Sequence, residues 1–304
     1  MTFNARNMPN NNHILNKDIK PSWLKSTWLL SPKLSILTNK FRQLNLSTVC
    51  QEAHCPNIGE CYNKGVATFL IMGNRCTRNC RFCNIAHGKP EPLDPHEATN
   101  IASIITDMQL KYVVITSVTR DDLLDGGASH FSQCISNIRK LSTKIKIEIL
   151  VPDFKNKLSI ALKNLSFNLP NVFNHNIETV PHLYPKIRQG ASYHNSLLLL
   201  STFKKQFPNI LTKSGLMVGL GETLQEIKST LIDLKENKVD MITIGQYLSP
   251  SAEHYPVYKY VHPEEFKELE IFCKKIGFAY VASGPLIRSS YMAELQENHQ
   301  YVYR

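Results

Sequence analysis

From residue 67 onward, short apolar runs rich in β-branched residues alternate with longer amphipathic stretches. The short runs predict strands at 68–72, 112–116, 146–150, 172–175, 215–218, 241–244 and 279–282. The longer ones predict helices at 97–108, 128–141, 155–164, 193–207, 223–237 and 263–276. Asp94 and Thr223 stand where helix N-caps belong, and Pro263 suits a first helical position. Strand and helix in alternation predict an α/β fold, a parallel sheet with crossover helices. The number of units fits a partial or full parallel (β/α) barrel, with an open doubly wound sheet as the alternative. Reactive groups of a barrel gather at the carboxyl ends of its strands. Polar or special residues do follow the strands here: Gly73 and Cys76, Thr116 and Ser117, Pro152 and Asp153, Asn174-His175-Asn176, Gly219 and Gly221, Gln246, and Ser283-Gly284.

The first 66 residues lack this rhythm. Residues 1–20 are polar, with Asn10-Asn11-Asn12 and few apolar anchors, and predict disorder. Residues 21–66 form an irregular arm with Pro21, Trp23, Trp28 and Pro32 and a helix near 33–43. The expected division is therefore 1–20, an arm at 21–66, a barrel at 67–283 and a C-terminal segment at 284–304. No run reaches the ~18 apolar residues of a spanning helix, and the N-terminus has no signal-peptide core. The chain is expected in the cytoplasm, where thiols stay reduced. Its 35 basic against 25 acidic residues give a net charge of +10, which suits an acidic partner surface, nucleic acid or an anionic membrane. The basic residues are scattered, however, and no run of five marks a nucleic-acid arm.

The cysteines change the picture most. Six of the eight lie in two triplets, Cys50-x4-Cys55-x5-Cys61 and Cys76-x3-Cys80-x2-Cys83. In a reducing compartment such clusters read as metal ligands. Three thiolates per triplet leave one metal position without a cysteine. The second triplet is tight, follows a predicted strand, and can wrap an iron–sulfur cube by three of its irons. Zinc is the competing reading, with His87 or His54 as fourth ligand, although structural zinc sites favour paired short spacings and only Cys80-x2-Cys83 is such a pair. Cys134 and Cys273 stand alone in helical segments and read as buried apolar residues.

The Cys-x3-Cys-x2-Cys spacing, with Phe82 before its last cysteine, resembles the signature of the radical S-adenosylmethionine superfamily. The upstream triplet narrows the resemblance to the lipoyl synthase family. SVTRDDLLDGGASHF from Ser117, IEILVPDF from Ile147, NVFNHNIETV from Asn171, MVGLGET from Met217 and GPLIRSSYMAE from Gly284 match that family in order, over about residues 45 to 294. The resemblance implies two [4Fe-4S] clusters and S-adenosylmethionine. Cys76, Cys80 and Cys83 would hold the cluster that cleaves S-adenosylmethionine to a 5′-deoxyadenosyl radical. Cys50, Cys55 and Cys61 would hold an auxiliary cluster, with a serine of Arg288-Ser289-Ser290-Tyr291 on its fourth iron. Ser289 is the assignment and Ser290 the alternative; the competing reading of these serines is a helix N-cap before Tyr291.

The same resemblance implies a substrate and partners. An octanoyl chain on a lysine of a lipoyl carrier domain, either a dehydrogenase E2 subunit or the glycine cleavage H protein, would receive sulfur at C6 and then C8. The auxiliary cluster would be the donor and would be destroyed, and a flavodoxin or ferredoxin would supply electrons. Such carrier domains tend to be acidic, which gives the basic excess a use without nucleic acid or membrane. Thr116, Ser117, Asn174, Asn176 and Glu178 are candidates to contact S-adenosylmethionine, with Asn174 and Glu178 on ribose hydroxyls and backbone at Phe82 on adenine. The competing reading of each is a structural hydrogen bond at a strand end. Arg188 and Arg288 could neutralise a carboxylate or the cluster surroundings. Two other functions fit part of the pattern. A radical methylthiotransferase acting on RNA would disperse its auxiliary cysteines over a separate domain, and biotin synthase lacks the first triplet. A zinc-dependent nucleic-acid binder would not need the β/α alternation.

Overall fold

A computed structural model describes residues 20–24, 39–44, 46–52, 57, 58, 61, 66–291 and 293. The β-branched runs become strands β1 (Ser47–Thr48), β2 (Thr68–Ile71), β5 (Tyr112–Ser117), β6 (Lys146–Leu150), β7 (Val172–Asn174), β8 (Leu211–Val218), β9 (Met241–Gln246) and β10 (Tyr280–Gly284) of one sheet. Between β2 and β5 a small parallel ribbon pairs β3 (Arg75–Cys76) with β4 (Ala86–His87). The helices are α1 (Val49–Glu52), α2 (Glu97–Asp107), α3 (Ala128–Leu141), α4 (Leu158–Leu165), α5 (Tyr184–Ile187), α6 (Tyr193–Gln206), α7 (Leu224–Glu236) and α8 (Pro263–Lys275).

The large sheet runs β1-β2-β5-β6-β7-β8-β9-β10. β1 lies antiparallel to β2, and every later neighbour is parallel. That order never reverses. Right-handed crossovers between strands laid down in one direction keep the helices on one face and curl the sheet as in a barrel. A doubly wound sheet needs a reversal of strand order, so that alternative is set aside. β1 and β10 stand at opposite ends of the sheet without pairing, which makes the barrel a partial one.

One face of the sheet carries Val113, Ile115, Ile147, Ile149 and Phe173, packed with Ile101, Ile105, Ile135, Ile138, Leu162 and Phe203 of the helices. Phe173 and Phe203 stack with ring centroids 3.7 Å apart. The other face is the barrel interior, and its filling is different. Val172, Met241, Tyr280 and Ala282 pack against Ile287, while Tyr112 and Val114 pack against Ala293. The residues after β10 therefore return into the barrel.

Two expectations shift. Asp94 does not cap α2; the N-cap is His96, and the Asp94 carboxylate accepts the His96 N–H at 2.8 Å in the preceding turn. β8 starts at Leu211 rather than 215. Thr223 does cap α7, in a capping box with Glu226, and Pro263 opens α8. The helix predicted near 33–43 is present at 39–43, and its earlier residues lie outside the described ones. So do residues 1–19, where disorder was expected. Among the described residues no helix is long and apolar enough to cross a membrane.

Candidate active site

Cys76 ends β3 at the carboxyl end of β2, and Cys80 and Cys83 follow in a loop whose backbone is tied to the segments after β5 and β9 and to the end of α5. Thr77 N–H donates to the Thr119 carbonyl at 3.0 Å, and Arg81 N–H to Ile187 at 2.9 Å. Tyr255 N–H donates to Arg81 at 2.8 Å, and Gly88 N–H closes back on the Cys76 carbonyl at 2.9 Å. Arg78 adds a double fork. It donates to both oxygens of Asp121 at 2.7 and 2.8 Å and to both oxygens of Asp153 at 2.9 and 2.6 Å. Burial opposes this guanidinium's charge, and the two carboxylates outweigh it, so its pKa is raised.

The Cys76 sulfur accepts the N–H groups of Arg78 at 3.4 Å and Thr119 at 3.3 Å. Burial pushes the Cys80 thiol up to about 11, against the pull of Arg188, and Cys83 up to about 12. Both are neutral as bare thiols at pH 7. Cationic irons would supply the charge that makes such sulfurs thiolates, and N–H donors on sulfur belong to the same chemistry. Among the described residues no three His, Cys, Asp or Glu side chains converge on a point that one ion could fill. A cube, which presents separate iron corners, does not need them to. The donor set of the second triplet thus fits an iron–sulfur cluster.

The turn that leads into this loop is clamped from both sides. Met72 sits at φ +68°; its N–H donates to Glu97 at 2.9 Å, and its carbonyl accepts from Arg120 at 3.2 Å. His130 Nε2 lies 2.6 Å from the same Glu97 carboxylate. Residue type gave no sign of Glu97, Arg120, His130 or Asp121 as supports, because their partners are distant in sequence, and Asp153 stood out only as a polar residue after a strand.

The expected S-adenosylmethionine contacts differ in how free they are. The Ser117 hydroxyl is buried and has no hydrogen-bond partner among the described residues, as a ligand contact would be. Phe82 is half-buried against the core beside it. The Thr116 hydroxyl is already spent on the Leu150 carbonyl at 2.8 Å, and the Asn174 amide donates to Glu148 at 2.8 Å inside the barrel. Both make the structural bonds that competed with the functional reading. Asn176 Oδ1 accepts the Ser289 hydroxyl at 2.8 Å. Glu178 sits at φ +67°; burial raises its pKa against the pull of Arg188 and of the Asn176 hydrogen bond.

Of the first triplet, Cys50 and Cys61 are described and buried, and they line one small cavity with Asn57, Thr68, Arg288, Ser290 and Tyr291. Cys55 lies outside the described residues, as does the helix considered beyond Tyr291. Asn57 ties this arm to the C-terminal segment by donating to the Leu286 carbonyl at 2.8 Å. The residue that lines the cavity is Ser290, not Ser289. Neighbouring side chains of this segment diverge, and the Ser289 hydroxyl is turned away onto Asn176. Of the two serines it is the alternative, Ser290, that lines the cavity of the two cysteines.

Two strand glycines make room for that segment. A Cβ at Gly215 would lie 2.5 Å from the Ser289 hydroxyl, and one at Gly245 would run into the Ile287 carbonyl oxygen. Gly245→Ala should therefore cost about 1–3 kcal/mol in denaturant unfolding, since backbone on both sides must shift. An unchanged midpoint would mean the segment does not press on β9.

A model of the Radical SAM superfamily matches residues 70–234. The chain is 57% identical over 277 residues to a lipoyl synthase of Syntrophotalea carbinolica, covering 91% of this chain and 90% of that one. It is 53% identical to a lipoyl synthase of Coxiella burnetii (strain Dugway 5J108-111), over 93% and 90% of the two chains. Against one from Hahella chejuensis it is 54% identical over 91% and 83%. Among solved structures, methylornithine synthase (PylB) superposes with a TM-score of 0.53 at 17% identity, over 83% of this chain and 72% of that one. The [FeFe]-hydrogenase maturase HydG gives 0.55 at 15% identity, over 83% and 56%. Those two likenesses concern the fold alone.

Proposed function

The chain belongs to the lipoyl synthase family of the radical S-adenosylmethionine superfamily, and we propose that it inserts sulfur at C6 and C8 of an octanoyl chain held on a lysine of a lipoyl carrier domain. The observation that carries this reading is the pairing of two separate cysteine sites. One is the strand-end loop of Cys76, Cys80 and Cys83. The other is the cavity of Cys50 and Cys61 faced by Ser290.

Members of the superfamily use S-adenosylmethionine with a [4Fe-4S] cluster, and Cys76, Cys80 and Cys83 would hold it here. A second [4Fe-4S] cluster would be held by Cys50, Cys55 and Cys61 with Ser290. When bound, these groups supply hydrogen-atom abstraction from unactivated carbon and the sulfur to be transferred. The chain's own residues do the rest. Arg78, fixed by Asp121 and Asp153, holds the loop in shape. The N–H groups of Arg78 and Thr119 stabilise negative charge on the Cys76 sulfur. The Arg188 guanidinium stabilises it on Cys80. The orphaned Ser117 hydroxyl, with Asn176, Glu178 and the backbone at Phe82, offers S-adenosylmethionine its polar contacts. A serine oxygen is a weaker iron ligand than thiolate, so Ser290 would be the most easily displaced of the side chains that would hold the second cluster. The partners on this reading are octanoylated E2 or H-protein domains and a flavodoxin or ferredoxin donor, in the cytoplasm.

An anaerobic single turnover tests the reading, with reconstituted protein, S-adenosylmethionine, a reductant and an octanoyl-lysine peptide, followed by mass spectrometry. Wild type should form deoxyadenosine and put sulfur into the peptide. Cys61→Ala should form deoxyadenosine alone. Deoxyadenosine without peptide sulfur from wild type carrying both clusters would discard the substrate.

A further inference from the structure

Inside the barrel, on the face away from the helices, Lys213 of β8 and Glu148 of β6 form an ion pair with both side chains fully shielded from solvent. The Lys213 ammonium has three donors, and all three are placed. Two reach the Glu148 oxygens at 3.0 and 3.2 Å, and the third reaches the Ser289 carbonyl at 2.5 Å. Glu148 is completed by Tyr112 at 2.8 Å and Asn174 at 2.8 Å. The network spans four adjacent strands, and the Lys213 bond to Ser289 carries it into the C-terminal segment.

Such a pair is an expensive way to fill a barrel. Burial pulls Lys213 below its ordinary value although Glu148 opposes it. Apolar residues of the same volume would hold the strands as well or better. What apolar residues would not provide is a donor for Ser289. A held carbonyl fixes the whole planar peptide that follows it, here the Ser289–Ser290 link. The Ser289 hydroxyl on Asn176 and the Asn57 bond to Leu286 restrain the segment, and the Tyr291 N–H bond to the Arg288 carbonyl at 3.0 Å closes a turn around that peptide, but a turn bond of this kind is compatible with either tilt of its central peptide. We infer that the buried Lys213–Glu148 pair is a positioning device: by holding the Ser289–Ser290 peptide, Lys213 aims the Ser290 hydroxyl at Cys50 and Cys61. The inference rests on the proposed role of Ser290 as a cluster ligand.

Lys213→Met with Glu148→Gln removes both charges and keeps an acceptor for Tyr112. Hydrogen exchange of the metal-free protein, read by mass spectrometry, should show amides 287–291 about tenfold faster or more, the weight of one charge-assisted hydrogen bond in a local opening equilibrium. The strands β5 to β8 should keep wild-type protection. After reconstitution the double variant should hold about four irons per chain where wild type holds about eight, and should still make deoxyadenosine. Glu148→Gln alone leaves the Lys213 bond to Ser289 in place but strips a buried ammonium of its counter-charge, so it should lower global stability while amides 287–291 open no more readily than the strands β5 to β8. Unchanged exchange at 287–291 in the double variant, strands loosened to the same degree there, or amides 287–291 loosened beyond the strands in Glu148→Gln would each overturn the inference. If wild type itself bound only about four irons, the two-cluster reading would fall, while the exchange experiment would still decide whether Lys213 anchors the segment.

Discussion

Arg78→Met should destabilise the metal-free protein by about 3–5 kcal/mol, the cost of leaving a buried carboxylate without its partner. Asp153 is the carboxylate concerned, with 1% of its side chain exposed, whereas Asp121 is 34% exposed and can turn to water. Arg78→Lys should recover only part of the loss. Four directed N–H bonds to two carboxylates match a planar guanidinium, and a point-like ammonium on a shorter reach cannot make both forks. Adding Asp153→Asn to Arg78→Met should restore stability, because the buried charge is then gone. Urea unfolding of the four proteins measures this directly. The same variants should bind less iron at the second triplet, since Arg78 lies between Cys76 and Cys80 and its fork ties their loop to the ends of β5 and β6. If Arg78→Met changed the midpoint by no more than a surface substitution does, the fork would carry no energetic weight, and the loop would owe its shape to backbone bonds alone.

How much of this could be read from the chain depends on where each residue's partner lies. The strands were legible because a barrel strand is buried on both faces, so β2, β5 and β9 present nearly unbroken apolar runs. β8 was cut short at its start for the opposite reason. Thr212, Lys213 and Ser214 look like a polar break, yet all three are fully buried. Their partners are Asp240 before β9, Glu148 in the middle of β6 and His175 after β7. β1, two residues long, has no pattern to detect. The cysteines were legible because type and spacing alone carry their chemistry. Which of Ser289 and Ser290 lines the cavity of Cys50 and Cys61 was not, since adjacent side chains face different ways and only the backbone decides between them. The supports Arg120, Glu97 and His130 were invisible because only the fold brings them to Met72.

Acid should weaken the fold through His175, by about 1.4 kcal/mol for each pH unit below about 6.5. The ring is fully buried at the end of β7, and Nδ1 lies 2.8 Å from the Val151 carbonyl, which only accepts. Nδ1 therefore carries the proton, and Nε2 is left as an acceptor. It faces the Ser196 hydroxyl at 3.0 Å and Arg188 Nη2 at 3.3 Å, so a second proton would meet a guanidinium. Burial and then Arg188 push the pKa down to about 3. An unfolded histidine titrates near 6.5. Between those values the unfolded chain binds one proton more than the folded one, so stability is lost as pH falls through that window, about 2.7 kcal/mol of it by pH 4.5. Asp153 acts elsewhere. Burial raises its pKa but Arg78 lowers it more, so its contribution persists until pH drops below the ordinary carboxylate range of roughly 3.9. In the interval from 6.5 to 4.5 the buried carboxyls of Glu178 and Glu222, whose pKa values burial raises, work in the opposite direction, so the His175 contribution is read as a difference between wild type and a His175 variant. His175→Gln has no such titration and should show a flatter loss of urea midpoint across that interval, whatever its stability at pH 7. Parallel slopes for the two proteins would mean that the acid sensitivity lies in other groups and that the Arg188 cluster accepts a protonated ring.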